Sequence, residues 1–89
     1  MSRMNIENVV ASTSLGQDLD LNAIEDALEG AEYNPQQFPG LVYRLDDPKV
    51  VVLLFSSGKM VITGAKIPND VIRAVDKIAE ELRDAGLMN

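Results

Sequence analysis

The sequence predicts an α+β fold: a curved, antiparallel, five-stranded sheet with two helices on its convex face, in the order β-α-β-β-β-β-α. Three observations carry this. Leu41–Leu45, Val50–Phe55 and Lys59–Thr63 are short, apolar, β-rich runs joined by Asp46-Asp47-Pro48-Lys49 and Ser56-Ser57-Gly58-Lys59, segments with the turn chemistry of hairpins. Apolar residues recur at helical spacing in two further stretches, each with its own start and stop signals. Two amphipathic helices on one side of such a meander leave the other side of the sheet without cover.

Ile6–Ser12 alternates as a strand should, with Ile6, Asn8, Val10 and Ser12 on one face, and Gly16 marks the turn after it. Asp20 is placed as the N-cap of a short, acidic surface helix that carries Leu21, Ile24 and Leu28 on one stripe and ends before Gly30. Ala31–Asn34 forms a brief strand, and Asn34-Pro35-Gln36-Gln37-Phe38-Pro39-Gly40 a loop punctuated by two prolines and a glycine. After the meander a long helix starts at Pro68, with Asp70 at the positive end of its dipole. Its stripe is Val71, Ala74, Val75, Ile78, Leu82 and Ala85, and Gly86 stops it.

Alternation sends Val9, Val52, Leu54, Met60 and Ile62 toward the helices and leaves Val10, Val51, Leu53, Phe55, Val61 and Thr63 on the bare face. An apolar patch of that size on a monomer is a binding surface or an aggregation hazard. The only two phenylalanines, Phe38 and Phe55, stand at strand ends beside turns, where large apolar side chains are exposed.

Composition narrows the function. Residues 1–89 form one domain, and a domain this small buries only about 60–65% of its unfolded surface, so a partner or second copy would add stability. Cysteine and histidine are absent, which removes disulfides, thiolate chemistry, Cys/His metal sites and imidazole catalysis. No nucleophile, base and orienting group converge, so neither an enzyme nor a cofactor or metal is expected. No apolar run is long enough to span a bilayer and the first residues lack a signal-peptide stretch, so a cytoplasmic protein with no membrane association is expected. The net charge of −6 argues against nucleic acid. Its distribution argues less strongly: residues 38–66 hold Arg44, Lys49, Lys59 and Lys66 against Asp46 and Asp47, while the acids concentrate in the helical segments.

From about Asn5 to Leu82, the segments Asn8-Val9-Val10-Ala11-Ser12-Thr13, Phe38-Pro39-Gly40-Leu41-Val42-Tyr43-Arg44-Leu45 and Val51 through Lys66 resemble, in one register, one repeat of the TATA-box-binding protein family, most like its archaeal form. The resemblance implies a DNA-bending module of transcription initiation that grips the minor groove of A/T-rich duplexes. It implies that Phe38 and Phe55 wedge between bases, stiffened by Pro39, an action for which this family is itself the standing example. Asn8 and Thr63 would donate hydrogen bonds to adenine N3 and thymine O2, and Val10, Leu53, Pro39 and Val61 would line a groove floor that excludes the guanine amino group. Arg44, Ser56, Ser57, Lys59 and Lys66 match positions that touch phosphate and sugar. Arg73, Lys77 and Arg83 lie on the helical side that meets protein partners in this family.

The family carries two copies of this unit where this sequence shows one. A homodimer joined through first strands near Asn8, or one half of a two-repeat protein, is therefore expected, with a pseudo-palindromic target and a nucleoid location. Docking of a transcription factor IIB homologue is implied at Asn34–Gln37, although glutamines stand there in place of the usual acids. Ile67, ahead of Pro68, replaces the usual capping side chain. The competing expectation, which the acidic charge favours, is a protein-interaction module that uses the bare sheet for self-association and never touches DNA.

Overall fold

The computed structural model describes residues 9–88, and the side chains from Val10 onward. Its elements run β1 (Val9–Ser14), α1 (Leu21–Ala27), β2 (Ala31–Tyr33), β3 (Leu41–Asp46), β4 (Lys49–Leu54), β5 (Lys59–Ala65) and α2 (Pro68–Asp84). The five strands form one antiparallel sheet in the order β1-β5-β4-β3-β2, with β1 and β2 at its edges.

Local chemistry explains the boundaries. The Asp20 carboxylate accepts from the Ala23 N–H and so satisfies one orphan donor of the first turn of α1. Ile67 offers no such bond to α2; Asp70 instead accepts from the Lys66 N–H and tethers the incoming chain to the first turn. At the far end Gly86 N–H bonds the Arg83 carbonyl and Leu87 N–H the Leu82 carbonyl, a Schellman closure. The final expected member of the helical stripe, Ala85, is exposed: it caps the helix beyond the last covered turn.

Alternation places the core between the sheet and both helices. Leu41, Val52, Leu54, Met60 and Ile62 from the strands meet Ile24 of α1 and Ala74, Ile78 and Leu82 of α2, all wholly shielded. Buried Tyr43 donates its hydroxyl to Glu81 of α2 at 3.0 Å, fixing the long helix across the sheet. Arg73 reaches Asp47 at 2.8 Å and Lys77 reaches the Asp47 carbonyl at 3.4 Å, so these helix cations anchor the β3–β4 turn.

The two edges differ. On β2 the Tyr33 N–H, which points away from the sheet, donates to the Glu25 carboxylate of α1 at 3.0 Å. On β1 the ladder to β5 carries a bulge: Val9 faces Ala65 and Ala11 faces Ile62, leaving Thr63 and Gly64 opposite Val10 alone. Gly64 has φ +87°, a conformation side-chain-bearing residues rarely adopt, and the extra residue turns Ala65 into the core.

Candidate nucleic-acid interface

Strand register assembles the bare face. Glu32, Val42, Leu53, Val61 and Ser12 stand directly opposite one another across all five strands, and Arg44, Val51 and Thr63 form the next row. Val42, Val51, Leu53, Val61 and Thr63 are half-exposed, and Val10 is 66% exposed at the bulge. An apolar strip thus crosses the middle of the sheet with polar ends. Asn8, assigned to the same surface from sequence, lies outside the described residues.

Beside this strip, at the end of the strands where β3 starts and β4 finishes, sit the two phenylalanines. Asn34–Gln37 folds into a turn whose Asn34 carbonyl accepts from the Gln37 and Phe38 N–H groups at 2.9 and 3.0 Å, delivering Phe38 to the start of β3. Phe55 follows β4, its N–H bonded to the Lys59 carbonyl at 2.9 Å. The rings meet edge to face, centroids 5.8 Å apart and planes at 65°. Phe38 remains 36% exposed, Phe55 is half-exposed, and Pro39 beside them faces solvent.

Gly40 makes this pairing possible. A Cβ there would lie 2.8 Å from the Phe38 ring, 3.1 Å from the Phe55 ring and 3.1 Å from the Leu54 carbonyl. The backbone passes under both rings because nothing projects from it. The same end holds Ser56, Ser57 and Lys59, all exposed, on a turn pinned from behind: Leu15 N–H bonds the Gly58 carbonyl and Leu19 N–H the Ser56 carbonyl.

Three cations gather at the opposite end. Arg44, Lys49 and Lys66, with Asp46, line a shallow cleft floored by Val51 and Gly64. Arg44 and Lys66 were expected on this surface. Lys49 was not, yet it shares the parity of Val51, Leu53 and Phe55, and that alternation is the signal that finds it. Val42 likewise follows from alternation with buried Leu41 and Tyr43. Glu32, for which the sequence suggests no role, forms an ion pair with Arg44 at 3.3 Å on the bare face. Arg73 and Lys77 are turned away from this surface, committed to Asp47.

Known proteins share this sequence and fold. Residues 3–85 match the family described as "Transcription factor TFIID (or TATA-binding protein, TBP)". Relatives include the TATA-box-binding proteins of Archaeoglobus fulgidus, 61% identical over 96% of this chain and 48% of that protein, and of Pyrodictium occultum, 61% identical over 93% and 42%. The solved structure of Methanococcus jannaschii TBP superposes with a TM-score of 0.86 and 54% identity, covering 89% of this chain and 47% of that one. The chain spans about half the length of the curated relatives it matches, and those relatives are named for a DNA element, not for a reaction. With its five-stranded sheet, one-sided helices and bare strip, the chain belongs to the TATA-binding protein family.

Proposed function

We propose that this chain binds the minor groove of A/T-rich, TATA-like DNA on the bare face of its sheet and bends it, acting in transcription initiation at the chromosome. It does so as one of two such units, in a homodimer or as half of a two-repeat protein. The observation that carries this reading is the Phe38–Phe55 ring pair, Phe38 exposed and Phe55 half-exposed, beside an apolar strip. Exposed aromatic rings cost solvation and are retained where a partner covers them; stacked bases are such a partner.

The chemistry follows from the rows. Leu53, Val61, Val51 and Val10 offer a floor with no acceptor for the guanine amino group, so G·C pairs would bury an unpaired donor while A·T pairs would not. The Thr63 hydroxyl can donate to adenine N3 or thymine O2, as the Asn8 amide could from the adjoining strand position. Ser56, Ser57 and Lys59 at one end, with Arg44 and Lys66 at the other, would hold phosphates and fix register without reading sequence. Docking of a transcription factor IIB homologue would use the exposed Asn34–Gln37 turn, contiguous with Phe38.

A titration of A/T-rich and G/C-rich duplexes at two salt concentrations, with the bend followed by end-to-end energy transfer, tests the reading. The A/T duplex should bind more tightly and bend, and Phe55→Ala should reduce affinity and bend together. Binding of neither duplex by a chain that self-associates in light scattering would favour the interaction-module alternative. An unchanged bend with Phe55→Ala would remove the wedge role.

A further inference from the structure

We propose that Glu32 is a phosphate surrogate: its carboxylate occupies Arg44 in the free chain, and the bare face grips a DNA backbone only as Arg44 exchanges that carboxylate for a phosphate. This rests on the DNA-binding reading above. It adds a residue that tunes the strength and salt dependence of binding.

Register places the pair. Glu32 stands across from Val42 on the outermost strand β2, so its side chain projects on the bare face, and Arg44 is the next residue along β3 on that face. The diagonal spacing lets long side chains on neighbouring strands meet, and Arg44 Nη1 lies 3.3 Å from Glu32 Oε1. A carboxylate held against one of these cations would oppose phosphate unless it had a local purpose. Here it neutralises a guanidinium that otherwise waits unpaired beside Lys49 and Lys66.

The geometry suits exchange. The pair is single-pronged and longer than a tight charge-assisted hydrogen bond, and the two side chains are 62% and 61% exposed, so separating them unpacks nothing. A phosphate presents equivalent acceptor oxygens and a full charge, so Arg44 can move from one anion to the other without a desolvated intermediate. Exposed pairs of this kind are worth roughly a two- to five-fold change in an equilibrium constant. A complex with two such units would feel the effect twice.

The test compares the unaltered chain, Glu32→Gln, Arg44→Ala and the double variant, binding an A/T-rich duplex over a series of salt concentrations, with Asp46→Asn, an acid in the cleft that Arg44 lines, as the control for removing one negative charge near these cations. Glu32→Gln should bind about two- to five-fold tighter per unit, with the gain shrinking as salt screens the pair. The gain should vanish in the Arg44→Ala background and exceed that of Asp46→Asn. Equal affinity of Glu32→Gln and the unaltered chain, or a gain that persists without Arg44, overturns the exchange while leaving the DNA-binding reading intact. If the unaltered chain binds no duplex, that reading fails and the exchange with it.

Discussion

The two faces of the sheet are built from the same strands, one residue out of step, and have opposite fates. Leu54, Met60 and Ile62 are wholly shielded by the helices; Leu53, Phe55 and Val61, their immediate neighbours, are only partly covered. Both sets are apolar, so hydrophobicity alone does not tell core from interface. Parity and the location of the helices do. One face stabilises the fold, and the other keeps its apolar area available for a partner.

The largest effect should come from truncating each face in turn. Ile62→Ala, which opens a cavity among shielded residues, should cost about 2–5 kcal/mol in urea unfolding. Leu53→Ala on the bare face should cost under about 1 kcal/mol and lower DNA affinity instead. Equal destabilisation by the two would erase the distinction between the faces.

Tyr43 sharpens the covered side. Burial first, then the hydrogen bond and charge of Glu81, push its hydroxyl up from 10.0 to about 12. A group whose pKa rises on folding contributes fully below its unfolded value and loses that contribution as pH climbs through the folded one. Stability should therefore fall as pH climbs from 10 toward 12. Tyr43→Phe should lose about 1–2 kcal/mol at neutral pH and show a flatter alkaline limb in thermal melts.

Gly40 probes the bare side. Gly40→Ala forces a methyl group against the Phe38 and Phe55 rings and the Leu54 carbonyl, so the ring pair must open. Folding should weaken by about 1 kcal/mol, as for modest overpacking, while DNA bending falls more than stability does. A variant with full bending would mean the edge-to-face pairing is dispensable. The smallest effect belongs to Lys59→Ala, which should weaken binding to all sequences alike. Because one lysine neutralises one phosphate, the slope of log affinity against log salt should become shallower by about 1.

Much of the fold was legible because strong local signals agreed. Asp20, Pro68 and Gly86 punctuate the helices where the structure places their ends, and the parity of Leu53 and Val61 against Leu54 and Ile62 separates the faces without tertiary information. The resemblance supplied the roles. What escaped depends on meetings between distant segments. Glu32 and Arg44 are twelve positions apart and meet only through the β2–β3 register. Gly40 reads as a turn glycine, and its purpose emerges only when Phe55 arrives from the end of another strand. Lys49 escaped although its parity was readable, because it adjoins Asp46-Asp47-Pro48 and reads as part of the hairpin connection.

The unequal edges of the sheet have a consequence for assembly size. The Glu25 carboxylate occupies an outward N–H of β2, whereas β1 ends the sheet beside β5 with its other side unjoined among the described residues. Were two copies to zip together along β1, each would present its obstructed rim to further molecules, so addition would terminate at a pair. In such a pair, one short acidic helix would guard a chain with a greasy exposed surface against fibrous stacking.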